Sequence, residues 1–404
     1  MADPVRDSQD RWRQARGFLN GRRHALARAA QELYPASWRV AGTPMLARRE
    51  WLPATPIPLD HVALGWRPAA GPRDSAAPVV NGAAVNAAVV NGTEPETAAV
   101  RPLREDGTRF GCYAGALGAL SRPGLFENRA CYRVIEATTS ADAAGLMFGR
   151  GRYFEMINTC EAAAHEFAAA ALAGGHADGP PTPAGLPFRT LIGDPTDLRR
   201  RPAMAATCTL VLRAGGGPAD ARMILHWRDP ARVASGGGLY QVAPVGIFQP
   251  SDDAPWNEAN DFSLWRCIVR ELAEELLGAT EDYQSDAAPI DYDRWPLYAT
   301  LAGARRAGTL RVYWLGLGAD PLTLALDLLS VAVFDAPLFD AVFAGLISAN
   351  AEGRIVTAQD ATGATLGLPF TAASVDRFTT AEPMQPAGAA LLRLAWQHRA
   401  TLLP

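Results

Sequence analysis

The spacing of hydrophobic positions predicts long helices and few strands in the first half of the chain. Apolar residues three and four positions apart predict helices over residues 11–34 and 153–172. A short apolar run at residues 132–136 predicts a strand between them. We therefore predict an N-terminal helical segment with a proline-rich arm over residues 1–67, and an α+β module over residues 101–202.

Short apolar strands separated by glycine-rich turns dominate from residue 203 onwards. The pattern predicts strands at 207–213, 222–227, 239–242, 310–317 and 328–334, and helices at 261–277, 337–348 and 387–398. Strands with helices on both sides form layered α/β structures. We therefore predict an α/β/α sandwich with a mixed sheet over residues 203–404, preceded by the α+β module.

Residues 68–100 follow neither pattern. No aromatic residue occurs between Pro68 and Ala99, where alanine, valine, asparagine, glycine and proline prevail. Such a composition buries little apolar surface, which predicts a flexible low-complexity insertion. Its two Asn-Gly steps, at Asn81 and Asn91, also suit a small hairpin.

Composition and charge narrow the class of protein. The chain is 49% hydrophobic and 20% charged, with a formal net charge of -4, which is ordinary for a globular protein. The mild acidity argues against a broad nucleic-acid surface, and no apolar run is long enough for a membrane span. The N-terminal residues lack an apolar signal core, which predicts a cytoplasmic protein. A homodimer stays an open alternative to a monomer.

The absence of lysine excludes several catalytic classes. All 38 basic residues are arginines, so a pyridoxal-phosphate Schiff base, a P-loop lysine and a Ser-Lys dyad are ruled out. The five cysteines are scattered and show no zinc-site spacing, which indicates buried or idle thiols.

The strongest chemical signal is a carboxylate cluster on the helix predicted at 261–277. Glu271, Glu274 and Glu275 stand at positions i, i+3 and i+4, so they share one side of the helix. Like charges at this spacing repel, and Arg270 can compensate Glu274 along the helix. A divalent cation would offset the rest, since Mg²⁺ takes oxygen ligands and is often completed by phosphates. The alternative is a solvated, glutamate-rich face.

A strand, a turn and a second strand over residues 223–246 precede this helix. Together with residues 270–275, which fit the pattern REUXEE (U aliphatic), they resemble the Nudix hydrolase superfamily and its signature GX5EX7REUXEEXGU. The resemblance implies that the three glutamates bind Mg²⁺ or Mn²⁺ across a diphosphate and that Arg270 orients them. It also implies that Gly246 lies in a loop presenting a backbone oxygen to the metal. Arg228, in the same unit, is our further candidate for substrate binding.

The front half of the signature is re-spaced in this chain. Phe262 stands where the family has its glutamate, and Trp256 where it has its first glycine. Leu277 takes the place of the later glycine, which follows at Gly278. An acidic insertion, residues 247–260, separates Gly246 from the helix.

Two functions follow from this resemblance. The first is metal-dependent hydrolysis of a nucleoside diphosphate-linked substrate, with one glutamate, Glu281 or Asp282 as the base. The second is a non-catalytic Nudix-like sensor that binds a nucleotide-type ligand and regulates a partner. Residues 125–129, 192–195 and 248–250 also resemble an actinobacterial group often labelled transcriptional regulators.

Three other charged clusters have two interpretations each. Glu161 and His165 are spaced for a metal or acid–base pair, or form an ion pair on a helix surface. Residues 194–201 form an anion clamp or a capped turn. The arginine-rich helix at 11–34 contacts phosphates or a partner, or presents a solvated face.

Overall fold

The fold is taken from a computed structural model of the chain. The structure describes residues 3–67, 79–80, 83–84, 89–175, 180–217, 220–228, 237–344, 346, 353–356 and 367–403. The α-helices are α1 (Pro4–Ala30), α2 (Tyr113–Leu120), α3 (Tyr153–Met156), α4 (Ala162–Ala173), α5 (Pro187–Ile192), α6 (Pro255–Asn260), α7 (Leu264–Leu277), α8 (Pro296–Ala307), α9 (Ala336–Val342), α10 (Ala372–Thr380), α11 (Pro386–Gln397) and α12 (Arg399–Leu402).

The strands are distributed over both halves of the chain. They are β1 (Ile57–Pro58), β2 (Val62–Trp66), β3 (Val79–Val80), β4 (Ala83–Ala84), β5 (Ala130–Thr139), β6 (Ala144–Arg152), β7 (Ala205–Ala214), β8 (Arg222–Met223), β9 (Leu225–Arg228), β10 (Tyr240–Val242), β11 (Val245–Ile247), β12 (Leu310–Ala319), β13 (Leu326–Asp335), β14 (Gly353–Val356) and β15 (Leu368–Pro369).

The largest sheet has the strand order β1-β12-β13-β7-β8-β15, and β11 also pairs with β7. β13 and β7 are parallel, whereas β12 with β13 and β11 with β7 are antiparallel. The sheet is therefore mixed, and the predicted α/β class is confirmed. Two smaller sheets have the orders β10-β9-β14 and β2-β6-β5.

The centre of the large sheet is apolar on both faces. Leu210, Val211 and Leu212 follow one another along β7, and all three are fully buried. Successive strand residues point to opposite faces, so burial of neighbours means that both faces are covered. Helix α11 packs against β7 and β13, and α7 packs against β7 and β11. This arrangement fixes α7 beside the ends of β7 and β11.

The two halves of the chain share one hydrophobic core. Trp51, Tyr132 and Phe148 from the first half belong to the same buried cluster as Phe248 and Trp314 from the second. The proline-rich arm also contributes an edge strand to the large sheet, because β1 pairs with β12 through Ile57 and Trp314. The core is thus continuous across residue 203, where we expected one module to give way to the next.

Several predicted elements are present with changed limits. The helix predicted at 11–34 begins at Pro4, where Asp3 caps it, and ends at Ala30. The helix predicted from Asp261 begins at Leu264, because Ser263 is its N-cap and accepts a hydrogen bond from the Arg266 amide (3.3 Å).

The single strand predicted at 222–227 is wrong. β8 belongs to the large sheet and β9 to a smaller one, so the chain changes sheets at Ile224. The apolar pattern is continuous through this point because Met223, Ile224 and Leu225 are all buried.

The insertion predicted at 68–100 lies partly outside the described residues. Within it, β3 and β4 pair antiparallel through Val79 with Ala84 and Val80 with Ala83. This antiparallel pairing agrees with the predicted small hairpin, whose Asn81-Gly82 step lies outside the described residues. The flexibility predicted for residues 68–78, 81–82 and 85–88 concerns residues that are not described.

Candidate functional site

A cavity of about 570 Å³ lies where the two halves of the chain meet. One wall is formed by α7 and β11, with Glu271, Glu274 and Glu275. The opposite wall comes from the first half and includes α1 and the turn at residues 157–161. The three predicted carboxylates therefore border one half-open cavity, which the sequence did not reveal.

Helix α7 presents its carboxylates here because its other side is fixed in the core. Trp265, Ile268 and Leu272 are buried, and the helix ends where Gly278 adopts a left-handed conformation (φ 70°). Residues three and four positions apart share a side, so Glu271 and Glu275 adjoin this apolar stripe.

Glu271 is pressed against the backbone of β11. A Cβ atom built on Gly246 would lie 1.9 Å from the carboxyl carbon of Glu271. Only glycine permits so close an approach, which explains the residue type at position 246. Gly246 lies in a strand, paired with Thr207 of β7, and its carbonyl accepts a hydrogen bond from the Thr207 hydroxyl (3.2 Å). The loop position implied for Gly246 is therefore wrong, although it does adjoin the carboxylates.

The other two glutamates have separate partners. Glu275 is 7% exposed and its Oε2 accepts a hydrogen bond from the Val245 amide (3.3 Å). Glu274 Oε1 accepts a hydrogen bond from the Tyr283 hydroxyl (2.7 Å). The three side chains thus lie side by side along the wall and are each held differently.

Glu271 and Glu274 hold their protons more tightly than ordinary glutamates do. Burial, followed by the charges of Glu274 and Glu275, raises the pKa of Glu271 well above its ordinary value. Burial also raises the pKa of Glu274 to about 7, although the Tyr283 hydroxyl opposes this rise. Crowded carboxylates of this kind gain stability from a nearby cation.

Arg270 also lines the cavity, but its hydrogen bonds go to groups other than the glutamates. It forms a buried ion pair with Asp261 (Nη1–Oδ1 3.4 Å) and donates to the Gln249 carbonyl (2.6 Å) and the Tyr292 hydroxyl (2.7 Å). The expected compensation of Glu274 by Arg270 is present only as a charge effect that lowers the pKa of Glu274. The hydrogen bonds of Arg270 instead tie α7 to the segment that follows β11.

Asp261 is a buried carboxylate beside the site that the sequence did not single out. It is fully buried and accepts hydrogen bonds from the Ser251 amide (2.7 Å) and the Tyr292 hydroxyl (2.7 Å). It stands one position before Phe262, where the signature has its glutamate, and Phe262 packs edge-on against Trp66. The sequence signal that could have pointed to Asp261 was this carboxylate, displaced by one residue from the position of the signature glutamate.

The acidic insertion at 247–260 does not return a carboxylate to α7. Asp253 accepts from the Ala130 amide (2.7 Å), and Glu258 binds Arg150 through two hydrogen bonds (2.6 and 2.9 Å). These contacts fasten the insertion to β5 and β6. Its beginning, Gln249 to Ser251, nevertheless lines the cavity.

The comparisons with known proteins can be set beside this geometry. No protein-family model matches the chain, and no curated protein matches it. None of the described helices combines the length and apolar character needed to cross a membrane. Within the described ranges, no three histidine, cysteine, aspartate or glutamate side chains are gathered so as to hold a metal ion. The site is therefore interpreted from its own residues.

The wall opposite α7 is built around Glu161. This carboxylate is buried and binds Arg16 (2.5 Å) and Arg23 (2.8 Å) of α1, while His165 lies 3.0 Å from the Tyr113 hydroxyl. The two arginines hold the pKa of Glu161 far below its usual range, and burial lowers that of His165 to about 3. The ion pair that we expected on a helix surface is therefore wrong: both residues are buried.

Two irregular helices meet at this cluster. Residues Ile157–Glu161 form a π-helical turn, and α1 departs from helical geometry at Arg22 (φ -134°). π-Turns recur at functional sites. The solvated face expected for the arginine-rich helix is also wrong for Arg16 and Arg23, which are 4% exposed.

The remaining candidates are divided between the cavity and other parts of the fold. Arg228 and Glu281 line the cavity, whereas the Asp282 carboxylate accepts from the Gln284 amide (2.9 Å). Asp194 accepts from the Thr196 amide (2.7 Å) and pairs with Arg48 (3.0 Å), which favours the capped turn over the anion clamp.

Asp327, on β13, is a further cavity residue that the sequence did not single out. Its carboxylate accepts a hydrogen bond from Cys208 Sγ (3.1 Å), and burial raises its pKa to about 7. It lies in an apolar strand, where nothing in the local pattern marks it as exposed to a cavity.

Proposed function

We propose that the protein is a metal-dependent hydrolase of the Nudix type that acts on a nucleoside diphosphate joined to another group. The observation that carries the proposal is the row of Glu271, Glu274 and Glu275 along a half-open cavity. Burial raises the pKa values of Glu271 and Glu274, which disfavours their charged forms, and an all-oxygen donor set would suit Mg²⁺ or Mn²⁺. The bound ion would neutralise phosphate charge and polarise a phosphoryl oxygen.

Other side chains that line the cavity are candidates for the general base and for the cations that bind phosphate oxygens. Water adds to one phosphorus atom, the bridging P–O bond breaks, and each product keeps one phosphate. The water proton would pass to a carboxylate, either one of the three glutamates or Glu281, which lines the cavity whereas Asp282 does not. Arg129 and Arg228 border the cavity and provide cations for phosphate oxygens.

One observation favours the alternative of a non-catalytic ligand sensor. Glu274 and Glu275 have different partners, and Glu258 of the acidic insertion binds Arg150 instead of joining them. Such a site could bind a nucleotide-type ligand without hydrolysing it.

Product release from a panel of dinucleotides and nucleotide sugars distinguishes the two functions. With Mg²⁺ or Mn²⁺, we expect the wild type to release a nucleoside monophosphate and Glu274→Gln or Glu275→Gln to be slower by about 100-fold or more. Glu258→Gln makes the same change of charge on the insertion and should retain activity. Wild-type rates in both glutamine variants would overturn the hydrolase. A ligand-induced rise in melting temperature without turnover would support the sensor.

A further inference from the structure

The loop after α7 returns to the cavity and brings the hydroxyl of Tyr283 next to Glu274, one of the carboxylates proposed to bind metal. Gly278 ends the helix in a left-handed conformation, and Gln284 also has a positive φ (53°), which is uncommon for a residue with a side chain. Between them stands Tyr283, whose ring packs edge-on against Trp295 with centroids 5.6 Å apart. The loop backbone is therefore held in a specific shape around Tyr283.

The Tyr283 hydroxyl acts on one atom of the site. It donates to Glu274 Oε1 at 2.7 Å and lies 3.4 Å from the Arg270 carbonyl. This hydrogen bond fixes Oε1 and with it the orientation of the Glu274 carboxylate.

The same loop is also fastened to the first half of the chain. Glu281 forms an ion pair with Arg129, which precedes β5, at 3.7 Å. Tyr283 and Glu281 both line the cavity. The loop thus joins α7 to the first half of the chain through Arg129, and Tyr283 is its contact with Glu274.

We propose that Tyr283 is a positioning residue that holds the Glu274 carboxylate in place for a divalent cation. This inference rests on the proposed function, because it requires that Glu274 binds the ion. Hydrogen bonds from such outer residues fix ligand orientation, and losing one typically weakens metal binding by about 10–100-fold.

Manganese binding to the full chain tests this role without relying on turnover. Free Mn²⁺ is counted by electron paramagnetic resonance while the metal is titrated into wild type, Tyr283→Phe and Glu274→Gln. We expect Tyr283→Phe to bind about 10–100-fold more weakly and to remain folded by circular dichroism. Tyr298→Phe removes a hydroxyl from the neighbouring aromatic cluster on α8 and should bind as the wild type does.

A double-mutant cycle shows whether Tyr283 acts through Glu274. If it does, Tyr283→Phe causes no further loss of affinity in the Glu274→Gln background. Unchanged affinity in Tyr283→Phe, or an equal loss in both backgrounds, would overturn the positioning role while leaving the hydrolase intact. A wild type that does not bind Mn²⁺ would overturn the proposed function and the positioning role together.

Discussion

Substitution of Gly246 by alanine should damage the site without damaging the fold. Gly246 lies in β11 and faces the carboxylate of Glu271. An added Cβ would stand 1.9 Å from the carboxyl carbon and 2.0 and 2.1 Å from its two oxygens. Carbon contacts ordinarily begin near about 3.5 Å, so the carboxylate must withdraw by roughly 1.5 Å.

The free energy of unfolding should change little in this variant. The clashing atoms are the end of a flexible side chain, and moving it off its preferred rotamer costs about 0.5–1.5 kcal/mol. Replacing glycine by alanine at a compatible backbone position stabilises by about 0.4–1 kcal/mol through the unfolded chain. The two effects nearly cancel. A displacement of about 1 Å at a reacting centre can nevertheless lower a rate by about 100-fold.

Urea unfolding, Mn²⁺ titration and product release together test this reasoning. We expect Gly246→Ala to unfold within about 1 kcal/mol of the wild type and to lose most metal affinity and turnover. Gly303→Ala is the matched control, because its nearest neighbour atom, in Arg306 of the same helix, is 3.8 Å away. A variant that binds Mn²⁺ and turns over substrate like the wild type would refute the reasoning that the site requires the Glu271 carboxylate to lie against β11. Global unfolding would show that Glu271 cannot yield.

Two further predictions concern buried charges. Glu161→Ala leaves Arg16 and Arg23 buried without their shared carboxylate. Urea unfolding should therefore show that the free energy of unfolding falls by about 3–5 kcal/mol. A fall of less than about 1 kcal/mol would contradict this prediction. Asp327 binds its proton more tightly in the folded protein than in the unfolded chain, because burial raises its pKa from 3.8 to about 7. Stability should therefore fall by up to about 4 kcal/mol as the pH rises between these two values and level off above. Asp327→Asn should flatten that slope in urea titrations across the range, and an unchanged slope would rule Asp327 out as its source.

The spacing of apolar and charged residues predicts those features that depend on residues close together in the sequence. A 3.6-residue period placed Glu271, Glu274 and Glu275 on one side of a helix, and they do line one wall. The same reasoning failed for Glu161, which was expected at a surface. Its partners, Arg16 and Arg23, precede it by 145 and 138 residues, so no local spacing could show that it is buried. Nor could a pattern of apolar residues show that β8 and β9 join different sheets.

The arginines of the first half also shape the cavity that the second half supplies with carboxylates. Arg189 donates to the carbonyls of Pro321 (2.7 Å) and Leu322, and Arg201 donates to those of Pro195 (2.8 Å) and Leu324. A planar guanidinium has five donors in a fixed fork, so one side chain can hold several carbonyls of an irregular loop, which a single ammonium does less well.

The loop bound in this way, residues 320–325, borders the cavity just before β13. Its position therefore depends on residues far away in the sequence. The carboxylates of α7 and the shape of the cavity that they line are therefore determined by different parts of the chain. Changes in the first half should alter which ligand fits while leaving the carboxylate row in place.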